Sequence, residues 1–495
     1  MTLWTILLPL FGALALFALP ARGAQRLVVL FATLFTWLFA LALPQAQPFE
    51  APWIEAVGLY WSLDPAGAGG VLVLAAATVM LPAALYASFA VRERTRGFLA
   101  LLLLMQAGLN GIFLAADLVL FYVFWEATLI PSLLLLGIWG GEGRRQATLK
   151  YLTYAVAGSF LMLVAILALR PLSGAPSFRL ADLLPATQAL PFSTQLALFV
   201  AFALAFAVKL PLWPLHAWLP DFHEQNHPSG VADAAGTLYK VGGWGFFAFA
   251  LPLFPEAAAA ASPYLLALAA FTAVYAAVIA TAQTHLKRLL AYASLSHMGI
   301  VGVGVFGLYL AGLNGAMYLL AAQMLSTGGL FLITGMLYAR RETFDLTAYG
   351  GLAKSAPGLA AVTLFTLFAS IGVPGLANFP GEFMSLMGAF QRSPLLGGLA
   401  TLSVIAAGVY GVNLYQRLFQ GEATLQTREL RWGEAALLAP LLTAILWFGL
   451  FPQPQLARID AHAQRTVARL AEPAAQGAAV HGAALAADAT HGEDE

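Results

Sequence analysis

Two lysines, Lys209 and Lys240, and three acids, Glu126, Asp233 and Glu382, stand inside stretches that are otherwise apolar, with Asp117 at the edge of one. A charge at the centre of a bilayer costs at least ~2.5–3.5 kcal/mol on insertion scales, so residues kept there point to function. Glu126 falls roughly 17 Å into the apolar run 115–138, and Lys240 is similarly deep in 229–251. Polar side chains accompany them. Asp233 and Lys240 are seven apart on one helical face with Thr237 between them. Gln323, Ser326 and Thr327 stand at i, i+3 and i+4, Ser294 and His297 are three apart, and His216 follows Lys209 by seven. Such a line of donors and acceptors suits proton relay. Burial favours a neutral lysine and a nearby carboxylate favours the charged one. An opposite charge at ~4 Å with an effective dielectric constant of ~20 contributes ~4 kcal/mol, or about three pKa units. Moving one carboxylate therefore loads or unloads a lysine at neutral pH.

The elements that position these residues are membrane helices. Sixty per cent of the 495 residues are hydrophobic, ten per cent are charged, and mean hydropathy is +0.80, far from the composition of a soluble domain. Apolar runs of spanning length recur throughout. With no cysteine, disulfides, cysteine-held iron–sulfur clusters and thiolate zinc sites are excluded, so redox chemistry belongs on other chains. His223 and His227 alone have metal-ligand spacing, but DFHEQNHP reads as a solvated turn, and no metal site is expected. The first 25 residues resemble a signal peptide without a positive n-region and read as a retained helix.

Hydropathy predicts an all-α polytopic protein of about fourteen transmembrane helices. Helix seven, 193–219, is interrupted by Pro211 and Pro214, and helix twelve, 357–392, by GVPGLANFPGEF. Proline and glycine at membrane depth free backbone groups that lipid cannot satisfy, so such breaks survive only in protein or beside water. Helices four to eight and nine to thirteen form two sets of five with the broken member fourth in each, which implies inverted repeats. The expected divisions are 1–96 (helices one to three), 97–254 and 255–420 (the repeats), 421–453 (helix fourteen) and a polar tail, 454–495, expected to be disordered and acid-rich from about Glu472. Sixteen lysines and arginines fall in loops on one face; the opposite loops carry Arg170, Arg179 and Arg392, with three more in the tail. The positive-inside rule makes the first face cytoplasmic and places both termini outside.

The stretch KLPLWPLHAWLPDFHEQNHPSGVADAAGTLYKVGGWGF, with ATAQTHLKRLLAYASLSHMGIVGVG and GVPGLANFPGEFMSLMGAFQ, resembles the antiporter-like subunits of respiratory complex I and of multisubunit cation/proton antiporters. The likeness covers about residues 97 to 420. It implies a fourteen-helix fold with inverted five-helix repeats. It further implies that Glu126 and Lys209 form the input pair, Lys240 is the central relay, and Glu382 faces the exit. Relatives generally carry lysine in the twelfth helix; NFPGEF, with Glu382, resembles the M-type subunit. That branch usually has a histidine in a stretch like AHGLS, where this chain reads AQMLS, so Gln323 replaces a titratable group with one that cannot take a proton.

The resemblance implies a proton-pumping subunit of NADH–quinone oxidoreductase in the bacterial inner membrane. FMN, iron–sulfur clusters and quinone would sit on partner subunits, and L-type and N-type antiporter-like subunits would adjoin it in the bilayer. No nucleic-acid partner and no cofactor on this chain are expected. A D-type subunit of a sodium/proton antiporter is the alternative, opposed by Glu382. A passive scaffold is a third, to be recognised by unchanged pumping after Lys209→Ala and Lys240→Ala.

Overall fold

The computed structural model describes residues 1–236, 240–422 and 426–471. Its chain runs α1 (Trp4–Ala18), α2 (Arg22–Ala42), β1 (Phe49–Ile54), β2 (Leu59–Leu63), α3 (Ala68–Ala90), α4 (Thr95–Leu114), α5 (Leu118–Trp139) and α6 (Arg144–Ser173). There follow α7 (Leu180–Gln188), α8 (Phe192–Lys209), α9 (Trp218–Gln225), α10 (Val231–Ala235), α11 (Lys240–Gly245), a π-helical turn (Phe246–Ala250) and α12 (Leu251–Leu253). The second half has α13 (Pro255–Thr281), α14 (Leu286–Phe306), α15 (Leu310–Arg341), α16 (Leu352–Ser355), α17 (Pro357–Ser370), α18 (Asn378–Arg392), α19 (Pro394–Phe419) and α20 (Trp432–Leu450). A last helix, α21, covers 453–471.

Eleven of the described helices are long and apolar enough to cross a membrane, and Trp4–Ala18 and Pro357–Ser370 are shorter apolar helices. Helices α3, α14 and α15 are almost wholly enclosed by protein. The outer helices instead show large apolar side chains, among them Phe31, Ile130, Phe160 and Ile405, as a lipid-facing surface requires. Small residues let the central backbones approach closely. At Gly335, for example, a Cβ would stand 1.7 Å from the carbonyl oxygen of Ser229, before α10.

Helices seven and twelve are broken where the sequence places the breaks, α8 from α9 and α17 from α18. The eighth, expected to be continuous, is broken too: α10 stops at Ala235, and Lys240 opens α11. Two further expectations change. The loop between α2 and α3 contains an antiparallel hairpin, β1–β2. Residues 454–471, assigned to a disordered tail, are helical, with Ile459 and Ala463 fully buried. The rest of that tail, from 472, lies outside the described residues.

The two ends of the bundle differ. The hairpin, α7 and α21 occupy one. There Asp117 caps α5 by accepting from Val119 N (2.9 Å) and Leu120 N (3.0 Å), which gives this acid a local structural role. Arg179 links Glu50 of the hairpin to Asp182 of α7. The opposite end carries ion pairs among Lys150, Asp221, Glu224 and Arg288, and between Arg340 and Glu434.

Candidate functional site

Lys209 is the last residue of α8 and is 2 % exposed. Pro211 and Pro214 have no N–H to extend the helix, and the freed backbone groups find other partners. Leu212 N donates to Ala207 O (2.9 Å), Trp218 Nε1 to Val208 O (3.1 Å), and Trp213 N to Thr272 Oγ1 (3.1 Å). The turn is thus satisfied within protein, as membrane depth demands. Lys209 Nζ donates to Tyr151 Oη (2.8 Å) and faces the rings of Tyr151 (4.9 Å) and Trp125 (5.7 Å). Trp218 and Phe222 close this aromatic box around Tyr151.

Glu126, the resemblance's partner for Lys209, is not within 4.0 Å of it. It sits half-buried beside the exposed face of α5, with Oε1 buried and accepting no hydrogen bond, and with Tyr122 in interaction range. Its neighbour Trp125 meets the lysine instead. His216, in the turn between α8 and α9, is buried against Tyr275 (ring centroids 5.3 Å) and makes no hydrogen bond with Lys209.

Lys240 is likewise 2 % exposed. It does not share a continuous helical face with Asp233, because α10 and α11 are separate helices. Thr237, expected between them, lies outside the described residues. Asp233 is committed elsewhere: Lys287 Nζ lies 2.8 Å from Oδ2, His223 Nδ1 2.8 Å from Oδ1, and Asn226 Nδ2 donates to Oδ1 (3.0 Å). All three ionisable side chains are fully buried. Two readings are corrected here. Lys287 follows the loop by one residue yet turns inward, and His223, expected in a solvated turn, is interior because α9 folds back against α14. His223 is also within Coulomb range of Lys240, so this cluster adjoins the central lysine.

Helix α11 packs on α8, α14 and α15. Glycine makes the first contact possible: a Cβ on Gly242 would stand 2.4 Å from Phe206 O and 2.3 Å from Leu210 N. The lysine-bearing ends of α8 and α11 therefore meet backbone to backbone. On the other side, the Cβ position of Gly243 is 3.1 Å from both Val301 of α14 and Leu320 of α15. His297 and Gln323 each lie about one helical turn from those contacts.

His297 carries the line to the second break. Its Nδ1 is 3.0 Å from Glu382 Oε1, an ion-pair contact outside hydrogen-bond alignment, and its Nε2 is 3.1 Å from Tyr410 Oη. Glu382 is 4 % exposed and more than a turn into α18. Its Oε2 fills the space beside Gly372, where φ is +75° and a Cβ would lie 2.1 Å away. On α15, Gln323 Oε1 accepts from Thr327 Oγ1 (2.5 Å), while Ser326 Oγ donates to Asn378 Oδ1 (3.1 Å). Asn378 Nδ2 donates in turn to Ser370 O (2.9 Å), tying together the two sides of the break. Gln323 Nε2 has no protein partner. Among the described residues no cluster of three or more His, Cys, Asp or Glu side chains is arranged to hold a metal.

Sequence reasoning missed Tyr151, Tyr410, Lys287 and His223. The tyrosines gave a weak signal, each one hydroxyl among several in an apolar helix. The other two were visible only as members of loop motifs.

Residues 115–407 match the family model described as NADH:quinone oxidoreductase/Mrp antiporter, TM. NADH-quinone oxidoreductase subunit 13 of Thermus thermophilus is 46 % identical over 458 residues, covering 91 % of this chain and 95 % of the relative. Subunit M of the Rhodobacter capsulatus enzyme is 36 % identical, covering 90 % and 92 %. A chain of respiratory complex I from Thermus thermophilus with bound NADH superimposes with a TM-score of 0.90 at 44 % identity, covering 95 % of this chain and all of that one. The Mrp complex from Dietzia shares the fold, with a TM-score of 0.79 at 23 % identity, over 93 % of this chain and 52 % of that one.

Proposed function

The chain belongs to the family of membrane subunits common to NADH:quinone oxidoreductases and Mrp antiporters, and from that premise we propose how its buried residues move protons. It is an M-type, proton-translocating, multi-pass membrane subunit of NADH–quinone oxidoreductase. In the proposed path, Glu126 and Lys209 form the input, Lys240 is the central relay, and Glu382 delivers to the exit. His297 and the water-binding groups Gln323, Ser326 and Thr327 connect Lys240 to Glu382, while Asp233 and His216 support the input side. The residues between 97–254 and 255–420 act as inverted halves of one device, and the direction is from cytoplasm to periplasm, with both termini periplasmic. NADH oxidation, FMN, the iron–sulfur clusters and quinone belong to partner subunits, and L-type and N-type antiporter-like subunits flank this one.

One observation carries this reading. The buried lysines and Glu382 stand at the three helix breaks, and α11 wedges between α8 on one side and α14 and α15 on the other. Discontinuous helices free backbone and space at membrane depth for ions and water. The chemistry then asks only that protons be exchanged. Lys209 protonated donates to Tyr151; with a carboxylate brought closer it holds its proton, and with that carboxylate withdrawn it releases it. His297, between Glu382 and Tyr410, can accept a proton on one ring nitrogen and pass one from the other.

The test is Lys240→Ala in the assembled complex, reading NADH-driven proton translocation in vesicles. Retention of assembly with loss of translocation supports the path. Wild-type translocation per NADH in both Lys240→Ala and Lys209→Ala would leave a scaffold.

A further inference from the structure

At the hairpin end, a cavity of about 280 Å³ opens between the π-helical turn and α21. Its floor includes Phe113, Trp244, Ala248 and Phe249, all buried. Its rim includes Arg465 and Arg469, one turn apart on α21. Arg465 Nε donates to Ala461 O (3.1 Å), and among the described residues neither arginine makes an ion pair. His462 forms a wall against Trp244 and Phe247, with ring centroids at 5.8 and 4.7 Å. Burial, with Arg465 nearby, pushes its imidazole down to about 4, so it is neutral at physiological pH. The acid on the rim, Asp64, uses Oδ1 to accept from Ala66 N (2.8 Å).

We propose that this cavity seats part of one acyl chain of an anionic phospholipid from the leaflet at the hairpin end, with its phosphate held between Arg465 and Arg469. Three features favour that occupant. The volume lies just below the ~300–1,000 Å³ of sites that enclose a whole small molecule, which suits a chain segment. An aromatic floor gives each methylene a favourable transfer from water, and it gives nothing to a free anion. Guanidinium groups match phosphate oxygens through paired N–H donors, so a rim of arginines that make no ion pair among the described residues selects charge where the floor selects apolar length. The site lies where α4 ends and α5 begins, at the boundary of the apolar bundle, the level of a lipid headgroup.

The experiment uses the intact purified complex in nanodiscs containing phosphatidylglycerol with a photoreactive diazirine in one chain. A phosphatidylcholine probe with the same chain serves as comparison, and labelled peptides are mapped by mass spectrometry. Phosphatidylglycerol is expected to label the segment from Trp244 to Pro252, with phosphatidylcholine labelling it roughly tenfold less. Arg465→Gln with Arg469→Gln should lower the label to the phosphatidylcholine level, normalised to assembled complex. Leu184→Trp, at the cavity wall, should lower it while keeping both arginines. Excess inorganic phosphate should not compete. Equal labelling by the two lipids, or none by phosphatidylglycerol in the wild type, overturns the proposal. Abolition by phosphate would assign a free-anion site. Labelling only after deletion of 472–495 would assign the groove to the chain's own tail. None of these outcomes bears on proton translocation through Lys240.

Discussion

Lys209 meets a tyrosine, not a carboxylate, and that contact defines the first test. A hydrogen bond to a charged group contributes ~1.5–3 kcal/mol, more where water is excluded. Tyr151→Phe removes the acceptor of Lys209 Nζ and is expected to lower proton translocation roughly tenfold, with assembly preserved; translocation per assembled complex checks it. Glu382→Gln should slow translocation comparably, because the amide cannot exchange the proton. Glu382→Lys should keep part of the activity, because a buried lysine can also exchange a proton. If Glu382 served only as a helix cap, lysine would be the worse substitution. Its place more than a turn into α18, against His297, favours the relay. The lysines and acids were legible because charge is conspicuous in apolar sequence. Tyr151 and Tyr410 were not, since tyrosine is common in membrane helices and only packing shows which hydroxyl faces a charge. Lys287 beside Arg288 read as one loop cation among sixteen; nothing in its spacing announced the buried Asp233.

In the proposed path the breaks are the functional elements, and prolines made two of them readable. The third, between α10 and α11, has glycine and no proline, in a segment with ordinary helical patterning. It became visible only where α11 met the end of α8. Gly242→Ala should be among the most damaging single-methyl substitutions, because its Cβ would meet fixed backbone at 2.3–2.4 Å; overpacking costs ~1–3 kcal/mol or more. Reduced yield and thermal stability of the complex would report it, whereas Gly398→Ala on α19, with open space around it, should be neutral. A second element-scale test concerns α17, whose N-terminus is held by Glu429 through Gly358 N (2.8 Å) and Leu359 N (3.0 Å). Partial burial would raise this carboxyl, but those N–H donors, that of Leu430 and Arg340 outweigh it and lower it. A depressed native value contributes stability present above the unfolded value and lost as pH falls through the native one. Glu429→Gln should therefore flatten the loss of thermal stability on acidification below the usual carboxylate range, with little effect near neutrality.

For the molecule as a whole, hydropathy gave the class and the matched family its membership, while the hairpin and α21 escaped notice because short amphipathic segments leave little mark beside spanning helices. Orientation is open to direct measurement. The chain has no cysteine, so single cysteines at Arg94 or Arg340 should react with impermeant reagents only from the cytoplasm, and one beyond Glu472 only from outside. Reversed reactivity would exchange entry and exit. The separation of Glu126 from Lys209 has a consequence at this scale too. A pump that sits idle beneath its own gradient must not discharge it, and a carboxylate fixed on Lys209 would keep a conducting link closed at rest. With the lysine held by Tyr151 instead, the input of the proposed path resembles an open switch in a charged circuit. On that proposed path, backflow would depend on how often thermal motion closes the gap, so the time for which an idle membrane stays energised would become a property of one separation.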